Sequence, residues 1–98
     1  MIRLDKYRSF EWDEGNIDKS YLKHGITPNE TEESFLDQKA IINRDVNHSQ
    51  TEERFILLGK TFAKKLLIVV FTIRERKLRI ISARKASRKE RREYEEKA

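Results

Sequence analysis

Apolar residues along this chain come in short runs, and the period of each run predicts an element. Phe10 and Trp12 alternate with Ser9 and Glu11, the period of a half-buried strand from Tyr7 to Trp12 with both rings inward. Asp13 can then cap a helix. Ile17, Tyr21 and His24 fall at i, i+4 and i+7, one face of that helix, and Gly25 supplies the left-handed position that stops it. The spacing therefore predicts a helix over Glu14 to His24. Thr27-Pro28-Asn29-Glu30 opens a second one, with Thr27 as N-cap, Pro28 at the first turn and Glu30 closing a capping box. Its apolar content is thin, Phe35 and Leu36 only. Ala40-Ile41-Ile42 allows a short strand or edge, and Asn43 to Thr51 is polar without periodicity.

From Arg54 onward the pattern is that of strands. Phe55 to Leu58 runs up to Gly59, a turn lies around Phe62-Ala63-Lys64, and a second run extends from Lys65-Leu66 through Thr72. This second run is apolar on both faces and so requires cover on both sides, by helices on one and by loops or another chain on the other. A turn near Arg74-Glu75-Arg76 leads into a strand from Lys77, giving an antiparallel meander. Ser87 and Glu90 form another capping box, which starts a final helix over Arg88 to Lys97. The expected fold class is α+β, an antiparallel sheet with two N-terminal helices and one C-terminal helix in the order β-α-α-β-β-β-α.

Length bounds this to one small domain, residues 1–98. With no cysteine, disulfides, thiolate metal sites and cysteine nucleophiles are excluded. The longest apolar run, Leu66 to Phe71, falls far short of the ~20 residues that span a bilayer. No signal peptide is visible at Met1 to Asp5, so the expectation is a cytoplasmic protein without a membrane partner.

Charge sharpens the picture. Residues 1–53 carry 7 Lys/Arg against 12 Asp/Glu, and residues 54–98 carry 15 against 5. A basic half points to nucleic acid, and an acidic half to a basic partner or to self-association as a homodimer; charge balance inside a small fold is the plainer reading of both. The final helix keeps Arg88, Lys89, Arg91 and Arg92 toward its N-terminal end and Glu93, Glu95 and Glu96 toward its C-terminal end. That order opposes the macrodipole, at about a few tenths of a kcal/mol per charge. An anionic ligand accounts for it better than helix stability does.

Phe10-Glu11-Trp12-Asp13-Glu14, Lys23-His24-Gly25-Ile26, Glu52-Glu53-Arg54-Phe55 with Gly59, and above all Arg79-Ile80-Ile81-Ser82-Ala83-Arg84-Lys85-Ala86 followed by Glu90-Arg91 and Tyr94 resemble the BrnT family. The resemblance covers most of the chain, from Phe10 to about Tyr94. It implies a type II toxin, an endoribonuclease of RelE-like fold, held inactive by a BrnA-type antitoxin that contacts operator DNA. Three departures stand out. Gly15-Asn16 replaces the usual Asn-Lys, Gln38 replaces a proline, and Ile73-Arg74-Glu75-Arg76 lacks the glycine that the family often has in this turn.

RNA cleavage without metal or other cofactor requires the 2′-hydroxyl to attack the adjacent phosphate, so one proton must leave, another must arrive and extra charge must be stabilised. Arginine forks suit the last task. Arg84, Arg79 and Arg88 are the candidates. Strict alternation sends Arg79 and Arg84 to opposite faces unless the strand ends or bulges before Arg84. His24 is the candidate acid or base, although the residues alone favour a core histidine on the Ile17/Tyr21 face. Lys23, Lys85 and Arg88 are candidates for binding RNA phosphates. Trp12 could stack on a base but fits the core better, and Tyr94 could be an acid/base or simply dock the last helix. No metal-site spacing is present, and His48 lies in the polar stretch. The rival class is a nucleic-acid-binding or antitoxin-binding subunit without turnover.

Overall fold

The computed structural model describes residues 9–12, 23–45 and 52–97. In chain order they form β1 (Ser9–Trp12), α1 (Pro28–Ser34), β2 (Ile41–Arg44), β3 (Arg54–Lys60), β4 (Leu66–Arg74), β5 (Lys77–Lys85) and α2 (Arg88–Lys97). The strands build one five-stranded sheet in the order β1-β5-β4-β3-β2. It is mixed, because β1 runs parallel to β5 while the other pairs are antiparallel.

This corrects the expected architecture of two N-terminal helices ahead of a purely antiparallel sheet. Alternation places Phe10 and Trp12 inward whichever way β1 runs, so the pattern is silent on pairing direction. β2 was foreshadowed only by Ile41 and Ile42, since Asn43 and Arg44 are polar and exposed at the sheet edge. The helix expected over Glu14 to His24 lies outside the described residues except for Lys23 and His24, which are helical. His48 also lies outside them.

Local chemistry explains the elements that match. The Thr27 Oγ1 accepts the Glu30 N–H at 3.1 Å, and Glu30 Oε1 accepts the Thr27 N–H at 3.0 Å, so both halves of the box at α1 are made. Gly25 has φ +68°, the left-handed conformation expected of it. Glu75 and Arg76 take φ 51° and 65° between the paired residues Arg74 and Lys77. That is the two-residue primed hairpin that normally recruits glycine or asparagine, built here from two side chains that pay for it in backbone strain.

The sheet has two differently covered faces. On one, Phe71, Val69, Leu67, Leu57, Leu78 and Ile80 pack with Ile26 and Phe35 from the α1 region. Phe35 stacks edge-on with Phe10 at 5.2 Å and Phe71 at 5.0 Å, geometry worth about 0.5–1.5 kcal/mol per pair beyond area burial. Gly59 lets α1 approach this closely, because a Cβ there would meet the Ser34 carbonyl oxygen at 2.5 Å. On the opposite face α2 lays Tyr94 over Leu58, Leu66 and Ile68. The first part of β4, Leu66 to Ile68, is therefore covered on both sides by helices of its own chain.

Candidate nucleic-acid interface

The face that carries α2 is only partly roofed. Pairing register lays out its side chains in rows across the strands, since directly opposed residues point the same way. The row one rung in from the Arg74–Lys77 pair at the β4–β5 hairpin is followed by two more toward α2. Arg54 opposes Thr72, Thr72 opposes Arg79, and Arg79 opposes Glu11. Ile56, Val70 and Ser82 form the next row, and Leu58, Ile68 and Arg84 the one after it. Beneath α2 the face is apolar. Away from α2 it is polar and cationic.

A single irregularity puts both candidate arginines on this face. Val70 pairs with Ser82 and Phe71 with Ile80, so Ile81 has no partner on β4. The extra residue restores alternation after it, and Arg84 returns to the side of Arg79. Ala83, one residue earlier, goes fully into the core.

The two arginines differ in their engagements. Arg84 Nη1 and Nη2 each donate at 2.8 Å to the two carboxylate oxygens of Glu90, and Nη1 also donates to the Lys85 carbonyl at 3.1 Å. The guanidinium, helped by the Ser87 N–H, outweighs burial and holds the Glu90 carboxyl down to about 2, and Glu90 raises Arg84 in return. Glu90 is also the capping-box residue of α2, so this fork clips the helix to the end of β5. The Arg84 Nε–H carries no hydrogen bond among the described residues. Arg79 is held more loosely, with Nη1 3.7 Å from Glu11 Oε1 and its side chain 26% exposed.

The remaining candidates are spread around the molecule. Lys85 shares the core-side row with Leu67 and is exposed at the strand end. Arg88 is exposed at the start of α2. Lys23 and His24 are exposed as well, so His24 is not a core histidine, and neither forms a hydrogen bond or ion pair with Arg79 or Arg84. Trp12 packs against the core and donates its Nε1–H to Glu32 Oε2 at 3.0 Å. Tyr94 is buried, and its hydroxyl donates to Asp37 Oδ2 at 2.6 Å while Lys60 Nζ lies 5.2 Å from its ring centre. Burial, together with the Asp37 bond, pushes the phenol up to about 12. Both aromatic rings thus face inward partners.

Sequence reasoning missed Glu11, Glu90 and Asp37. Glu90 was legible only as a cap, and Glu11 only as the outward residue between Phe10 and Trp12. Among the described residues no group of His, Asp and Glu side chains is placed to hold a metal ion, and no helix is long and apolar enough to cross a membrane.

What the arrangement can do is bind a polyanion along a rigid floor. Guanidinium groups on a strand meet phosphate oxygens without the entropy cost of a loop, and a carboxylate beside Arg79 can take up a proton.

A family model described as the ribonuclease toxin BrnT of type II toxin–antitoxin systems matches residues 12–90. No curated protein matches the chain. Among solved structures it is similar to the 1.1 Å crystal structure of the Brucella abortus ribonuclease toxin BrnT, with a TM-score of 0.64 and 24% sequence identity, the match covering 83% of this chain and 100% of that one. At that identity the likeness speaks for the fold.

Proposed function

The chain belongs to the BrnT family, the ribonuclease toxins of type II toxin–antitoxin systems, and on that footing we propose that it is an endoribonuclease acting without a metal ion on the open sheet face around Arg79. The observation that carries this reading is the loosely held Arg79 with Glu11 at 3.7 Å on the face left open by α2. In the proposed step the 2′-oxygen bonds to the adjacent phosphorus as the bond to the 5′-oxygen breaks. Glu11 takes the 2′ proton, and His24 gives one to the departing 5′-oxygen. The products are a 2′,3′-cyclic phosphate and a 5′-hydroxyl. Arg79 and the Nε–H of Arg84 stabilise the charge that builds on phosphorus. Lys23, Lys85 and Arg88 hold flanking phosphates, while Trp12 and Tyr94 act through packing.

The partner is proposed to be a BrnA-type antitoxin that neutralises cleavage in the cytoplasm and brings the pair to operator DNA. Incubating the purified chain with RNA in excess EDTA tests the reaction directly. Fragments with a free 5′-hydroxyl, accepting a kinase label without prior phosphatase, are expected; intact RNA that becomes cut only when a divalent ion is added rules out the metal-free route.

One observation favours a second reading. Because Glu90 already occupies Arg84 bidentately, the face could hold RNA without turning it over. Binding that weakens steeply with salt, with no fragments accumulating at any pH, would select that alternative.

A further inference from the structure

Among the described residues the exposed large hydrophobics are Leu36, 67% exposed, and Phe62, 71% exposed. They are neighbours. Two surface hollows, of about 370 and 300 Å³, flank them and share Glu33, Leu36 and Phe62 in their walls. Scattered exposed hydrophobics are ordinary, but two converging on adjoining hollows mark a place of contact.

The backbone enforces their exposure. Glu33 Oε1 accepts the Phe62 N–H at 3.0 Å, which ties the β3–β4 turn to α1. The same turn is closed by Thr61 N–H to the Lys65 carbonyl at 2.8 Å and Lys64 N–H to the Thr61 carbonyl at 2.9 Å, with Lys64 at φ 67°. The Leu36 N–H donates to the Glu33 carbonyl at 2.9 Å. An apolar pair braced in this way loses little conformational entropy when a partner covers it.

Charge selects the partner. The smaller hollow is walled by Phe10, Asn29, Glu32, Glu33, Leu36 and Phe62, two carboxylates and no cation. Glu32 Oε2 is taken by Trp12 and Glu33 Oε1 by Phe62. Each of these bonds uses one carboxylate oxygen, and both acids line the hollow. In the larger hollow Lys60 is drawn over the Tyr94 ring, 5.2 Å from its centre. A second copy of the chain fits poorly. Its basic α2, the cationic element that would meet Glu32 and Glu33, has its one large apolar side chain, Tyr94, buried.

We infer that the Leu36–Phe62 patch is the anchor point of the antitoxin, taking an apolar side chain flanked by Lys or Arg. This rests on the antitoxin partnership proposed above. It adds where the contact is made and which chemistry makes it.

Calorimetric titration of the full chain with the antitoxin of its own system tests the assignment. Leu36→Ser with Phe62→Ser is expected to raise Kd at least about 30-fold, because loss of two apolar anchors removes hot-spot contacts. RNA cleavage and the circular-dichroism melt should stay as in the parent chain. Asn29→Lys, which adds a cation to the smaller hollow, is expected to raise Kd about 5-fold and to flatten its salt dependence. If the parent chain fails to bind the antitoxin, the partnership itself falls, and this inference with it. If the parent binds and the double variant binds within twofold, only the placement falls. Conversion of a parent dimer to a monomer by the double variant in sedimentation, with antitoxin affinity unchanged, would give the patch to a second copy and overturn the assignment.

Discussion

Asp37 Oδ2 accepts the Tyr94 hydroxyl at 2.6 Å, joining residues that lie 57 positions apart. The same carboxylate accepts the Lys60 N–H at 2.9 Å, and its other oxygen accepts the Lys39 N–H at 2.9 Å. Asp37 therefore fastens the loop after α1, the end of β3 and the final helix at one point. Burial works against its charge, but these three donors prevail and hold its carboxyl below the ordinary value.

Tyr94→Phe should cost about 1–1.5 kcal/mol, the usual net value of one hydrogen bond with its acceptor still partly satisfied. The phenol also sets an alkaline limit. Its folded value, about 12, is raised above the ordinary 10.0, so its contribution is complete below pH 10 and is lost as pH rises through about 12. Absorbance at 295 nm during alkaline titration should show a late tyrosine that is absent from Tyr94→Phe, and urea melts at pH 8 and 11 should converge for the two proteins.

Arg79→Ala is expected to reduce RNA cleavage by about 100-fold, typical of removing one donor to developing charge. Its stability should change by less than about 0.5 kcal/mol, since the pair with Glu11 is long and partly exposed. Arg84→Ala should lower both cleavage and stability, because the fork to Glu90 also holds α2. Glu90→Gln separates these roles: it should destabilise by about 1–2 kcal/mol while leaving cleavage intact. Glu90 is depressed to about 2 from 4.5, so its contribution is present above pH 4.5 and disappears as pH falls through 2. Single-turnover cleavage assays and denaturant melts at pH 7 and pH 3 supply the comparison.

Gly59→Ala should destabilise by about 1–3 kcal/mol through overpacking. The new methyl would collide with the Ser34 carbonyl and with Leu57 Cδ2 at 2.9 Å, and backbone cannot move aside as a surface side chain does. A thermal melt showing no loss would mean that α1 is free to shift outward.

At the β4–β5 turn the change should run the other way. Arg76→Gly is expected to stabilise by about 0.5–1 kcal/mol, because φ 65° is strained for arginine and unstrained for glycine. Equilibrium urea unfolding measures it.

How far the chain could be read in advance depended on the range of the signal. Both capping boxes are local, so the starts of α1 and α2 were legible from Thr27/Glu30 and Ser87/Glu90. β3, β4 and β5 were legible because each carries at least three apolar residues in period or in a run. β2 was legible only as a short strand or edge at Ala40-Ile41-Ile42 and has no place in the expected order, and the parallel pairing of Ser9–Trp12 with Lys77–Ile80 depends on contacts almost 70 residues apart. In the site, the residue types were visible and their orientation was not. Whether Arg79 and Arg84 shared a face turned on one unpaired isoleucine, and whether Trp12 and Tyr94 met RNA turned on Glu32 and Asp37, neither of which is near them in sequence.

Ile81 governs how this strand responds to insertions and deletions. Being surplus to the ladder, it could be excised and the flanking residues would close into a regular strand with every guanidinium still outward. Adding a residue at the same point would leave two surplus residues, a whole period of the pleat, so that Arg84 would still face outward but the ladder beyond would slip by two positions. β5 thus absorbs a lost codon with its register intact, and a gained one only by moving Arg84 off its rung opposite Ile68.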